Sequence, residues 1–210
     1  KDWKSAIAHF ETAVGVGKKA IEEFKALGKD EDVIEVVHQT LWFLAVKAES
    51  LLEPARFQAL KEEVAHSEVD LREASERAGT EYALCLWNEA SGDIAFDLEA
   101  DYEKALAHYR KASTLGEKLG DSMLLARIDG SIAILQRFRA LGEEYAQNRR
   151  EILEEAIRLA ERAARTLEVS HYTTLLLDAH STLAACYTDL STLTEIETKK
   201  KRNLLKKAVE

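Results

Sequence analysis

The chain has 210 residues, of which 46% are hydrophobic and 32% are charged, so it is long and apolar enough to bury a sizeable core. Its net charge of −9 argues against nonspecific binding to nucleic acid, because phosphates repel an acidic surface. No apolar run approaches the roughly 20 residues that a helix needs to cross a bilayer, so we predict no membrane-spanning segment. One proline and nine glycines are few helix breakers for this length, which favours long helices over a sheet-rich fold.

Apolar residues spaced three and four apart predict about nine helices, which begin near residues 2, 31, 54, 81, 102, 122, 144, 170 and 194. Pro54 suits the first position of the third helix, where a missing N–H costs nothing. Thr80, Asp101 and Asp121 are predicted N-caps of the fourth, fifth and sixth helices. Glycines follow the predicted ends of four helices, at Gly28, Gly79, Gly120 and Gly142.

Two segments of the chain repeat the same pattern. Residues 2–13 and 101–112 each place an aromatic residue, an alanine, an aromatic residue and an alanine at matched positions. The matched residues are Trp3, Ala6, Phe10 and Ala13 in the first segment and Tyr102, Ala105, Tyr109 and Ala112 in the second. A repeated phrase of this kind indicates a repeated helical unit, and the odd-numbered helices recur about every 47 residues.

The predicted seventh helix repeats the small-residue part of the pattern, with Ala156, Ala160 and Ala163 spaced like Ala105, Tyr109 and Ala112. Small residues let neighbouring helices approach closely, and aromatic residues fill the gaps between repeats. The sequence therefore predicts an all-α fold, a right-handed α-solenoid of antiparallel helix pairs that forms a single domain over residues 1–210. Because the chain begins inside a repeat and without Met, we interpret it as a fragment of a larger protein.

The segment Asp101-Tyr102-Glu103-Lys104-Ala105-(x)3-Tyr109-(x)2-Ala112 resembles the second-helix signature of the tetratricopeptide repeat family. The family's first helix has a characteristic small-residue position and a bulky-residue position. Residues near these positions are Gly92 and Ala95 in the fourth helix, Gly130 in the sixth, and Ala184 and Tyr187 in the eighth. The period is longer than the family's usual repeat, as in long-helix variants, and the family's turn proline is absent. The resemblance implies an interaction module without naming its ligand.

In tetratricopeptide-like arrays the first helix of each pair lines a concave groove, and this resemblance implies the groove residues of this chain. The set is mixed apolar and acidic and lacks a Lys/Asn cluster that would clamp a carboxylate, so we expect a basic or amphipathic protein segment as partner. Trp42 and Phe96 are the candidate anchors, with packing between helices as the alternative role. The predicted groove residues are Gln39, Trp42, Glu49, Leu86, Glu89, Asp93, Phe96, Arg127, Ser131, Ile134, Asp178, Ser181 and Thr188.

No motif of the sequence indicates catalysis, a cofactor or a metal. The six histidines show no His-Glu-x-x-His spacing, and the glycines at Gly15 and Gly17 lack the strand and the Ser or Thr of a phosphate-binding loop. Cys85 and Cys186 lie in different predicted helices, and we interpret both as small buried residues in a reducing compartment such as the cytoplasm. The alternative for the two cysteines is a disulfide or a redox pair.

The sequence leaves three function hypotheses. The first is a non-enzymatic scaffold or sensory module that binds a peptide, a helix or a neighbouring domain of its parent chain. The second is self-assembly, for example into a homodimer, because the open ends of a helical array expose apolar faces. The third is an enzyme or small-ligand sensor, which no motif supports.

The last twelve residues, 199–210, carry a net charge of +5. We interpret them as solvated turns of a final helix, with contact to nucleic acid or anionic lipid as the alternative.

Overall fold

The computed structural model describes residues 3–30, 32–38, 54–170, 172–193 and 206–207. Every regular element within these ranges is an α-helix. The predicted ninth helix lies outside the described residues, except for Lys206 and Lys207, which are helical. The helices are α1 (Trp3–Ala26), α2 (described over residues 32–38), α3 (Pro54–Ala78), α4 (Glu81–Asp97), α5 (Tyr102–Leu119), α6 (Ser122–Gly142), α7 (Ala146–Glu168) and α8 (Thr173–Ser191).

The predicted helix starts are confirmed for α3, α4, α5 and α6. Pro54 is the first residue of α3. The side chains of Thr80, Asp101 and Asp121 each accept a hydrogen bond from the backbone N–H three residues later, at 3.0–3.2 Å. These caps satisfy N–H groups that have no partner within the helix, which is why each helix begins where it does.

Two helices begin later than the sequence predicts. α7 begins at Ala146 because the Glu143 carboxylate accepts the backbone N–H of Tyr145 (3.0 Å) and builds a turn before the helix. α8 begins at Thr173 because the Ser170 hydroxyl donates to the carbonyl of Leu167 (2.8 Å) and so closes α7 instead of opening α8. Both differences arise from side-chain bonds in the connections, which the apolar spacing does not encode.

Glycine allows a left-handed residue within two positions of the ends of three helices. Gly28, Gly79 and Gly120 have φ angles of +65°, +64° and +67°, in the region that other residues rarely adopt. The α4–α5 connection uses Ala100 instead, with φ of +55°. An alanine in this conformation brings its Cβ close to a carbonyl oxygen, so the connection carries a strain that the glycine ends avoid.

Ala100→Gly is therefore expected to raise the free energy of unfolding by about 0.5–1 kcal/mol, because relief of the left-handed strain exceeds the added entropy of the unfolded chain. Urea denaturation followed by circular dichroism measures this difference. Ala107→Gly, on the exposed face of α5, is the control and should lose about 1 kcal/mol instead. A loss at both positions would contradict the strain at Ala100.

The chain divides into two compact units, residues 1–119 and 120–210. In the first unit, corresponding helices of successive repeats run parallel to each other. The Arg77 guanidinium donates to Asp30 (3.0 Å) and the Tyr82 hydroxyl to Glu35 (2.9 Å), and each pair is 47 residues apart in the sequence. Between α1 and α3, Lys18 lies 2.5 Å from Glu63 and Lys25 lies 2.9 Å from Asp70, so the two helices run in the same direction. Residues about 47 positions apart in the sequence therefore contact each other in the fold, as expected for stacked repeats.

In the second unit α6 and α7 pack antiparallel, and α8 packs on both. The Arg162 guanidinium donates two hydrogen bonds to the buried Asp129 carboxylate, both 2.5 Å long. Further along the same helix pair, Gln136 donates to Glu155 at 2.8 Å. Two hydrophobic clusters fill the interior of the unit. Their buried members are Ala140, Leu153, Ala156, Ile157, Cys186, Tyr187, Leu190 and Leu193 in one, and Ala126, Ala163, Ala164, Leu167 and Ala179 in the other.

The small-residue pattern is confirmed as a packing pattern in α5 and α7, while the side chains of Trp3, Ala6 and Phe10 in the first copy lie outside the description and Ala13 is partly exposed. Ala105 and Ala112 of α5 are fully buried, and Tyr109 between them is among the largest fully buried side chains. The alanines of α7 at positions 156, 160 and 163 are also fully buried. Alanine at these positions keeps neighbouring helices close, and in α5 the aromatic ring fills the space that remains.

Candidate functional site

The predicted groove residues fall on several helices of the two units. Gln39, Trp42 and Glu49 lie outside the described residues. The first unit holds four predicted residues on α4. Leu86 and Glu89 are buried, so a partner at the surface would not contact them, whereas Asp93 and Phe96 are partly exposed. In the second unit, Arg127, Ser131 and Ile134 of α6 are partly exposed, and Asp178, Ser181 and Thr188 of α8 are exposed.

Two carboxyl groups of α4 lie in a cluster with side chains from α2 and α5. Glu89 is only 2% exposed, and its Oε2 lies 3.6 Å from Nε2 of His38. One turn further along α4, Asp93 Oδ1 accepts a hydrogen bond of 2.6 Å from the Tyr109 hydroxyl. We call Glu89, Asp93, His38 and Tyr109 the α4 acid cluster. It links three helices of the first unit through polar groups.

Gly92 is the reason why the tyrosine can reach α4. A Cβ atom built on Gly92 would lie 2.6 Å from the Tyr109 ring, closer than such atoms approach in real structures. The ring therefore packs directly on the backbone of α4, and this close approach carries the hydroxyl to the neighbouring Asp93. Only glycine at position 92 allows the contact without a shift of the ring.

Burial sets the protonation of the cluster. Desolvation, with the nearby Glu89 charge as the second cause, raises the pKa of Asp93 from its ordinary value to about 7. Desolvation and then the charge of Asp93 raise the pKa of Tyr109 well above its usual range. Asp93 can therefore hold a proton close to neutral pH, while the tyrosine stays a neutral donor.

In the second unit, polar contacts join α8 to α6 and α7. Arg137 of α6 donates to Asp189 of α8 at 2.7 Å, and the Tyr187 hydroxyl donates to Glu161 of α7 at 2.7 Å. These contacts fix α8 on α6 and α7. They leave the exposed positions of α8, including Asp178 and Ser181, on the surface of the unit.

The two cysteines are free and buried, each in a different unit. The Cys85 thiol donates to the carbonyl of Ala112 at 3.2 Å. Desolvation raises the pKa of Cys186 to about 12, so its thiol stays protonated and unreactive at neutral pH.

Among the described residues, no three His, Cys, Asp or Glu side chains are grouped so that they could hold a metal ion. Nor does a helix there have the length and apolar character needed to span a membrane.

Comparison with known proteins bears on the fold. No protein-family model matches the chain, and no curated protein matches it. Among solved structures, the crystal structure of a de novo designed helical repeat protein matches with a TM-score of 0.53 and 17% sequence identity. The match covers 100% of this chain and 96% of the designed chain. The chain has a helical-repeat fold. At this identity the likeness concerns the fold alone.

The helical-repeat fold explains which site contacts the sequence could predict. The repeat pattern places Tyr109, and the tetratricopeptide resemblance places Gly92 near a small-residue position, so their contact can be expected once α4 and α5 are paired. The role of His38 had no signal in the sequence, since it depends on how α2 stacks on α4. The groove as a continuous binding surface stays a prediction, as does the tetratricopeptide family.

Proposed function

We propose that this helical-repeat chain is a non-enzymatic, cytoplasmic protein-interaction module, a scaffold or a sensory element of a larger regulator. It resembles the tetratricopeptide repeats in the pattern of α5 and binds a peptide, a helix or a neighbouring domain on the exposed faces of its helices. The parallel stacking of helices one repeat apart carries the proposal, with Lys25–Asp70 between α1 and α3 and Glu35–Tyr82 between α2 and α4. Stacked repeats create extended surfaces along which a partner can lie.

The chemistry of the exposed residues supports a basic or amphipathic partner. Phe96 is partly exposed and its ring contacts that of Tyr102 with centroids 5.8 Å apart, so it offers an aromatic surface held in place by α5. Asp178 is exposed on α8 and supplies negative charge. Aromatic anchors contribute much of the affinity of such contacts, while exposed charges mainly set partner choice and association rate.

A displayed library of random peptides, selected against the full chain, tests the proposal. We expect selected peptides to be rich in Lys, Arg and apolar residues. Phe96→Ala and Trp42→Ala are expected to weaken their binding by about 1–2 kcal/mol, measured by calorimetry, with helicity unchanged. Asp178→Lys should weaken it mainly at low salt, because an exposed charge is screened at high salt.

Phe138→Ala is the matched control, since Phe138 is an aromatic residue of α6 that is 40% exposed and outside the predicted groove. It should leave peptide binding unchanged. Normal binding by both groove variants would show that the groove is assigned wrongly. Glu89 is unsuitable for a charge reversal, because it is buried and a lysine there would disturb the fold as well as the surface.

A second candidate function is self-assembly, which an exposed apolar group in the second unit favours. Val169 is 88% exposed, Leu177 65% and Tyr172 60%, all in the α7–α8 connection or the first turns of α8. Light scattering after size exclusion, over a concentration series, tests this candidate. A mass that stays at the 23.6 kDa of one chain would exclude it. A dimer that Leu177→Lys dissociates would favour it over the binding module.

A further inference from the structure

We propose that a cleft between α3 and α4 of the first unit binds one lysine or arginine side chain from a basic amphipathic segment of a protein partner. This inference rests on the proposed interaction function and names the place and the chemistry of the contact. The apolar residues that line the cleft are Val64, Ala65, Ile94 and Leu98, and we call it the α3–α4 cleft. None of the described groove residues lines it.

The apolar part of the α3–α4 cleft has room for one long side chain. Its volume is about 340 Å³, which is at the small end of the roughly 300–1,000 Å³ of ligand pockets. Val64 and Leu98 are buried at its base, whereas Ala65 is exposed and Ile94 is partly exposed. Because alanine carries a single methyl group, position 65 leaves open a space that a larger side chain would fill.

Two carboxylates stand beside this space on α3. Glu62 and Glu68 are three residues before and after Ala65, so the three side chains lie in successive turns of the helix, and all of them line the cleft. Glu68 accepts a hydrogen bond from the Ser91 hydroxyl (3.0 Å), a neutral donor that holds the carboxylate beside α4. An apolar base with carboxylates beside it suits lysine and arginine, whose methylene stems lie on apolar surface while their charged ends reach an acid.

The charge of the first unit favours a cation in the α3–α4 cleft. Among the described residues that line it, three are glutamates and one is Lys61. One glutamate, Glu99, pairs with Lys104 of α5 at 2.7 Å, which leaves Glu62 and Glu68 as the acids for a partner's cation. Residues 1–119 hold 15 Lys and Arg against 24 Asp and Glu, a net charge of −9, while residues 120–210 hold 14 of each. The whole net charge of the chain thus lies in the first unit, which attracts a basic partner.

Ala65→Trp tests the cleft by filling it, at an exposed helix position where the fold should tolerate the change. The probe is a fluorescein-labelled amphipathic helical peptide of leucine and lysine, and its binding to the full chain is followed by fluorescence anisotropy. We expect the variant to raise the Kd by about tenfold or more. Ala107→Trp, at an exposed position of α5 outside the cleft, is the control and should keep the wild-type Kd.

The double variant Glu62→Gln with Glu68→Gln tests the charge, because glutamine keeps the shape of the side chain and an acceptor oxygen for Ser91. The Kd of the same peptide should rise by about tenfold at low salt, and the difference should shrink at high salt. Glu76→Gln, at an exposed position of α3 outside the cleft, is the control and should leave the Kd within about twofold of the wild type. A double variant that binds like this control would overturn the recognition of a cation.

The n-hexylammonium ion probes the cleft without any peptide, since it has the alkyl stem and the charged end of a lysine side chain. In carbon-13 NMR of the wild type, the methyl signals of Val64, Ile94 and Leu98 should shift with n-hexylammonium and stay in place with n-hexanoate. Shifts with both ions, or with neither, overturn the proposal.

The peptide results separate this inference from the function on which it rests. Equal peptide affinity of the wild type and Ala65→Trp would overturn the cleft as the site and leave the interaction module standing. Absence of binding by the basic peptide would overturn both. Self-association of the wild type that Ala65→Trp abolishes would assign the cleft to the basic residues 199–210 of a second copy and overturn the external partner.

Discussion

Tyr109→Ala is expected to lower the free energy of unfolding by about 3–5 kcal/mol, the largest effect of any single substitution discussed for this chain. The side chain is 1% exposed, its ring packs on the backbone at Gly92, and its hydroxyl donates to Asp93. Truncation would leave a cavity between α4 and α5 that the helices cannot close without moving. It would also leave the Asp93 carboxyl group without this hydrogen-bond donor. Denaturant unfolding monitored by circular dichroism measures the loss.

Tyr109→Phe separates the two contributions. It keeps the ring and removes the hydroxyl, so we expect a smaller loss of about 1–3 kcal/mol. Because the tyrosine's hydrogen bond lowers the pKa of Asp93, the same variant should raise that pKa further. Tyr145→Ala serves as the control, since Tyr145 is 69% exposed and its truncation should change stability by no more than about 0.5 kcal/mol. Similar losses for Tyr109→Ala and Tyr145→Ala would contradict the packing of α5.

Arg162→Ala is expected to lower the free energy of unfolding by about 2 kcal/mol or more. Asp129 is 1% exposed and receives two hydrogen bonds from this guanidinium, so the truncation leaves a buried carboxylate without them. The loss should be smaller than the about 3–5 kcal/mol of a fully buried pair, because the Arg162 side chain is 57% exposed and water screens its charge. Calorimetric or denaturant unfolding of the variant measures this.

Arg165→Ala is the matched control, one turn along α7 at an exposed position. Its effect should stay within about 0.5 kcal/mol. The double variant Arg162→Ala with Asp129→Ala should recover part of the loss, because it removes the buried charge together with its partner. No recovery in the double variant would show that the two side chains contribute independently.

The sequence predicts most of the fold, because the fold depends on features that are local in the chain. Pro54 marks a helix start through its backbone, Thr80 and Asp121 mark helix starts through side-chain caps, and the left-handed glycines mark helix ends. The repeat pattern identifies the helices that must approach closely. The starts of α7 and α8 escape prediction because side-chain bonds within the turns, such as that of Ser170, decide them.

The candidate site is predicted less well than the fold, because its members meet across helices. The tetratricopeptide resemblance implies that Glu89 lies on a lining face, but the side chain is buried near His38 of α2. Helical spacing tells which face of a helix a residue occupies and does not tell which neighbour covers that face. The Asp129–Arg162 pair could not be predicted for the same reason. Its two residues are far apart in sequence, and no spacing rule connects them before α6 and α7 are paired.

The parallel stacking of helices one repeat apart has a consequence for chain length. Each helix of such a stack obtains its packing partners from helices nearby in the sequence, so the interior is assembled piece by piece along the chain. Duplication of one whole repeat within the chain would supply the new helices with the same neighbours that the old ones have. Each duplicated repeat would then pack through contacts that the chain already has, and no new core would be needed. The free energy of unfolding is expected to rise by a nearly equal amount with each added repeat.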